Sequence, residues 1–175
     1  MIWKKESEII NTTTIHSKIK NYVEKLTQFY STNDPKKIAD YLGIIILQSD
    51  LGSIDGFLQL YNHKYIIHLN NKIEFETQQE KVIAHELGHY FLHKHFNVFN
   101  TNTHSLSFES SLENEANIFS CELLLNDDMI RNELIYIESM TISEIAAYFN
   151  LDEEIIQFKR DIFFLYRKEH TFYTN

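Results

Sequence analysis

His85-Glu86-Leu87-Gly88-His89 constrains this chain more than any other stretch, because the chemistry implied by its spacing dictates both a helix and a facing partner. Histidines at i and i+4 lie one turn apart on one face of a helix, so both imidazoles can reach one zinc ion, with Glu86 beside it as a candidate general base. Two imidazoles are an incomplete set. A catalytic zinc takes three protein ligands and keeps a fourth position open for water. The fold must therefore bring a third donor from elsewhere against this helix.

Several residues compete for that position. His93 lies eight residues beyond His85, about 12 Å along a helix axis, which suits packing or a supporting role better than ligation. His95 falls where an HExxHxxGxxH arrangement puts its third histidine, but Leu92 occupies the glycine slot and lacks the freedom that turns the chain back. The remaining option is a carboxylate on the next helix. In Glu113-Asn114-Glu115-Ala116-Asn117, Glu113 and Asn117 share a face one turn apart, so the carboxylate can serve as ligand while the Asn117 amide oxygen accepts from a metal-bound imidazole. A rotation of that helix would offer Glu115 instead. A competing structural role exists for Glu113: Ser110-Ser111-Leu112-Glu113 has the pattern of a capping box.

The rest of the chain reads as an α+β domain. Apolar residues Ile15, Ile19, Tyr22, Val23, Leu26 and Phe29 predict an amphipathic helix over 15–30. Asp34-Pro35 opens a short helix that Gly43 closes. Residues 44–47, 56–61 and 65–70 predict a small antiparallel three-stranded sheet, a meander with its last turn at Asn62-His63-Lys64. Thr77-Gln78-Gln79-Glu80 predicts a capped start for the HExxH helix. A polar stretch over 97–111 reads as a loop, and helices are expected over 112–125, 127–137, 141–149 and 152–168, with Asn150 as a left-handed stop. The sheet is expected to pack on the HExxH helix, in a minimal gluzincin-like layout. Residues 1–125 would form the core and 126–175 a helical C-terminal region with helix-turn-helix-like packing, within the same compact unit.

A length of 175 residues with 43% hydrophobic content suffices for one core. The net charge of −9 argues against a nucleic-acid partner, whose phosphates are gripped by Lys and Arg. A helix-turn-helix over 141–159 would face the same objection, since residues 141–175 hold four Lys/Arg against six Asp/Glu. The longest aliphatic run, residues 44–47, is far too short to span a membrane. The N-terminus lacks an apolar signal core and Cys121 has no cysteine partner, so a cytoplasmic location is expected. Cys121 lies among Phe119, Leu123 and Leu124, as a buried, unreactive thiol would.

At the level of whole motifs the chain resembles the ImmA/IrrE-type zinc metallopeptidases. Residues 84–93, AHELGHYFLH, are similar to that family's AHELGHxxLH, and residues 113–119, ENEANIF, to the start of its ExxANxFAxxLLMP. Asp34-Pro35 with Ile38-Ala39 and Leu42-Gly43-Ile44 resembles its DPxxIAxxLGI opening, and residues 145–151 its LAxxFxV element, so the similarity covers roughly residues 34–160. Leu123-Leu124-Leu125-Asn126 departs from the family's LLMP by lacking the proline, and Ser120 replaces an alanine. The resemblance implies one Zn2+ per chain on His85, His89 and Glu113, catalysis by Glu86, and Asn117 supporting a ligand. It also implies hydrolysis of a helix-turn-helix repressor of a mobile element or stress regulon, with room for an activating partner. A metal-binding sensor that relieves repression without proteolysis would carry the same residues. His68, His93, His104 and Tyr61 are candidates for oxyanion or substrate contacts, and the strand at 65–70 for pairing with an extended substrate.

Overall fold

The computed structural model describes the backbone over residues 2–94 and 106–161, and the side chains over 14–94 and 109–161. Helix α1 (Ile2–Tyr30) lays Ile19, Val23 and Leu26 into the core and extends well before the predicted start. Helix α2 (Pro35–Tyr41) begins as expected: Pro35 needs no donor at the first position, and the Asp34 carboxylate accepts from the backbone N–H of Lys36 and Lys37.

Three strands follow, β1 (Ile45–Ser49), β2 (Gly56–Tyr61) and β3 (Lys64–Asn70). The α+β class holds, but the all-antiparallel meander does not. The strand order is β1-β3-β2, with β2 antiparallel and β1 parallel to β3. The physical reason is burial: Ile67 and Leu69 make β3 the strand best suited to the centre, so β1 docks on its open side instead of on β2. The Asn70 side-chain amide holds the crossing loop by donating to the carbonyls of Gly52 (3.3 Å) and Ile54 (2.8 Å). Asn62 and His63, both left-handed, form the two-residue turn between β2 and β3.

Helix α3 (Glu76–Gly88) lies against the sheet so closely that a Cβ on Gly56 would come 2.5 Å from Val82 Cγ1. Its predicted capping box is absent. The helix starts at Glu76, and Lys36 draws off both carboxylates, at 2.6 Å from Glu76 and 3.8 Å from Glu80. From His89 to His93 the helix widens into a π turn.

Helix α4 (Leu106–Leu124) starts earlier than predicted, which puts Ser110 and Glu113 in its interior and removes the capping role considered for Glu113. Leu112, Ala116, Phe119 and Leu123 face the core. Asn126, where the resembled motif has proline, caps helix α5 (Asp127–Ile137) by accepting from the Met129 N–H at 2.9 Å. Helix α6 (Ile142–Phe149) has the predicted Thr141–Glu144 capping box and ends on left-handed Asn150. Residues 153–161 are helical and bury Ile155, Ile156 and Lys159. Among the described residues no helix is long and apolar enough to cross a membrane.

Candidate metal centre

The site forms where the end of α3 meets the middle of α4. Gly88 permits the approach: a Cβ there would stand 3.0 Å from Ala116 Cα and 3.1 Å from its carbonyl oxygen. The glycine of the HExxH stretch and the alanine of the Glu-Asn stretch thus set the helix separation that lets their polar neighbours meet.

His85, His89 and Glu113 converge, each offering one donor atom within 4.8 Å of the others. His85 Nε2 is 3.1 Å from His89 Nε2 and 3.3 Å from Glu113 Oε2, while His89 Nε2 is 3.4 Å from Glu113 Oε1. For donors bound to zinc at about 2.0–2.2 Å in a tetrahedron, edges of roughly 3.3–3.6 Å follow from the geometry. The donor set and its spacing therefore fit a zinc-sized ion. The histidines pull the Glu113 carboxyl far below the usual range through hydrogen bonds from His85 and His89. Burial alone would lower the His85 pKa, but Glu113 and the Glu86 charge leave it raised. At 2.9 Å, His85 Nδ1 lies within hydrogen-bond reach of Asn117 Oδ1, one turn along α4 from Glu113.

Glu86 sits in the same turn, only 6% exposed. Burial pushes its carboxyl pKa up, opposed by the two histidines and by the Leu58 backbone N–H. That contact joins the site to β2. Pairing with β3 alternates along the strand, and the register leaves the backbone groups of Gly56, Leu58 and Leu60 on the outer edge. β3 lies between two strands, so the edge beside the site is β2 and not the strand at 65–70 expected from sequence. A cleft of about 680 Å³ runs along this edge past His85 and Glu86, bounded also by Tyr65, Lys81, Ile155 and Phe158.

The other candidates are dispersed. His68 and Tyr61 share the opposite sheet face, by the two-residue alternation that sends Leu58 and Ile67 toward α3. His68 stacks on Phe57 and bonds Gln59 at 2.9 Å. His93 is buried, its Nδ1 3.1 Å from His89 Nδ1 and its Nε2 3.2 Å from Glu115 Oε2. Glu115, the rival ligand, is thereby turned toward His93, away from the pair that Glu113 meets. His95 and His104 lie outside the described residues. Cys121 is fully buried, which drives its thiol pKa up to about 12. The β2 edge and the His93–Glu115 pair were missed at the level of sequence. No side-chain pattern marks an unpaired backbone edge, and i,i+4 spacing from His89 to His93 was the one available sign of the latter.

Comparison with known proteins covers this whole region. The profile of the IrrE N-terminal-like domain family matches residues 39–160. Over 143 residues the chain is 39% identical to "Metallopeptidase ImmA" of Bacillus subtilis (strain 168), an overlap of 81% of this chain and 83% of that protein. Over 111 residues it is 34% identical to "Uncharacterized immunity region protein 2" of Bacillus phage phi105, spanning 62% of this chain and 69% of the phage protein.

Proposed function

Because this chain belongs to the IrrE N-terminal-like family of metallopeptidases, we propose that it is a zinc-dependent endopeptidase of the cytoplasm whose substrate is a regulatory protein, specifically a helix-turn-helix repressor of a mobile element or stress regulon. The observation that carries the reading is the convergence of His85, His89 and Glu113 beside a buried Glu86, on a cleft bordered by the outer edge of β2. The relatives' names, a metallopeptidase and an immunity-region protein, support the mobile-element setting.

His85, His89 and Glu113 would hold the zinc, and Asn117 would accept from His85 Nδ1–H to keep that ring in place. When bound, zinc would supply Lewis acidity, lowering the pKa of a water toward about 7 and polarising a carbonyl. Glu86, buried beside the two histidines, is placed to take the proton of the attacking water and deliver it to the leaving amine. The outward N–H and C=O groups of Gly56 and Leu60 and the C=O of Leu58, whose N–H already faces Glu86, offer an extended peptide a strand to pair with across the cleft. Such binding selects a segment that can be drawn out, as a domain linker can.

A DNA-binding role for 141–159 finds no support in the site of Lys159. Its ammonium is buried 2.7 Å from Glu122 and 2.8 Å from Asp127, not offered to phosphates.

The test is to incubate the zinc-loaded protein with repressors encoded beside its gene, with Glu86→Gln as control. Cleavage by the wild type alone supports an endopeptidase. A zinc-loaded wild type that relieves repression and cuts none of them, with or without a co-encoded activator, supports the sensor and overturns the enzyme reading. Metal content of Glu113→Gln against Glu115→Gln separately tests the ligand assignment, with a far larger loss expected for the former.

A further inference from the structure

The buried His93 has one ring nitrogen 3.1 Å from His89 Nδ1 and the other 3.2 Å from the Glu115 carboxylate. We propose that His93 and Glu115 are positioning residues that fix the tautomer and ring orientation of His89 through a Glu115–His93–His89 hydrogen-bond chain. The inference rests on His89 holding metal through Nε2, as proposed above.

Counting protons leaves one arrangement. A ring nitrogen that gives its lone pair to a cation carries no hydrogen, so neutral His89 keeps its proton on Nδ1. That N–H faces His93 Nδ1 and needs an acceptor. His93 Nδ1 must then be unprotonated, which puts the His93 proton on Nε2, facing a carboxylate that only accepts. The opposite tautomer of His93 would set two N–H groups head to head at 3.1 Å and turn a lone pair toward Glu115. Ser111 Oγ, 3.5 Å from Glu115 Oε1, steers the carboxylate from its other side.

The two site histidines are thus oriented by different means. His85 uses the exposed amide of Asn117, whereas His89 uses a buried imidazole backed by a charge. A carboxylate behind the relay raises the basicity of the ligating nitrogen as well as fixing its direction. The π turn over His89–His93 carries both rings of the relay.

Zinc affinity of the full chain, measured by competition with a chromophoric chelator, tests the proposal alongside the tautomer of His93 read from long-range 1H–15N correlations of the zinc-loaded protein. His93→Phe keeps an aromatic ring but no acceptor, and is expected to weaken zinc binding about 10–100-fold. His93→Asn places an oxygen where Nδ1 stood and recovers most of that loss. Glu115→Ala weakens zinc binding in the same direction by a smaller factor, and serves as the deciding variant if His93→Phe does not fold. His93 should carry its proton on Nε2. The proposal is overturned if His93→Phe, or Glu115→Ala in its place, binds zinc as the wild type does. It is also overturned if folded His93→Asn is no tighter than His93→Phe, or if His93 is protonated on Nδ1. A wild type that binds no zinc overturns the metal reading itself, and this one with it.

Discussion

Lys159→Met removes the centre of a buried ion network whose members do not line the cleft, and its cost can be worked from the contacts. Lys159 Nζ lies 2.7 Å from Glu122 Oε1 and 2.8 Å from Asp127 Oδ1, with side chains only 4% and 1% exposed for Lys159 and Glu122. Methionine retains most of the apolar stem and deletes the charge. Breaking a buried pair by removing one partner costs about 3–5 kcal/mol. The lower end applies here, because Glu122 keeps His16 at 2.9 Å and Asp127 keeps Lys20. About 3 kcal/mol in a chain of this size lowers Tm by roughly 6–12 °C. The pH dependence carries the sharper signature. In the wild type, burial pushes Glu122 up but His16 and Lys159 leave it lowered, and Asp127 is held at about 2. Both contribute stability that is present above the unfolded carboxylate pKa and lost as pH falls through the folded values. In the variant, burial of Glu122 is opposed by His16 alone, so its folded pKa rises and its penalty is relieved by protonation. The gap between variant and wild type should therefore narrow as pH falls from 7 to 5, in urea melts run in the same zinc buffer. A variant within about 1 kcal/mol of the wild type, or a gap that widens on acidification, refutes the reasoning. Adding Glu122→Leu should return part of the loss, since an uncompensated buried carboxylate is the source of the cost.

Other perturbations give distinct readouts. Gly88→Val forces side-chain atoms against the Ala116 backbone and should cost at least about 1–3 kcal/mol, with zinc affinity falling as the helices separate; unchanged zinc binding would show that the close approach does not set the site. Asn117→Ala removes the acceptor for His85 and is expected to weaken zinc binding about 10–100-fold without unfolding the chain, by chelator competition and circular dichroism. Asn126→Ala deletes the cap of α5 and should cost about 1 kcal/mol in urea unfolding. The Cys121 thiol should resist an aromatic disulfide reagent at pH 8 until denaturant is added, and prompt reaction of the native protein would contradict its burial.

Legibility followed the range of the interaction. Features set by a few adjacent residues were readable: the Asp34-Pro35 helix start, the Thr141–Glu144 capping box and the left-handed Asn150 all depend on local backbone groups and appear as expected. The same local grammar misled at Thr77 and Ser110. There a distant lysine took the glutamate, and an earlier helix start absorbed the serine. Strand positions were nearly right, but β1 beside β3 was not, since pairing partners are chosen by which strand the rest of the fold buries.

By itself the sequence determined that two histidines would share a helix face with Glu86 beside them, because helical periodicity makes that arrangement unavoidable. It also narrowed the third donor to a short stretch around Glu113 and Glu115. Only the tertiary structure showed which of those two faces the pair, by the rotation of α4 that brings Glu113 toward His85 and His89 and turns Glu115 to His93. Only it put an unpaired edge of β2 along the cleft and buried Glu122 against Lys159, 37 residues further on. The physical reason is that ligand convergence, edge exposure and buried charge pairing depend on how whole elements pack, and Gly88 against Ala116 fixes that packing at a distance no local pattern encodes.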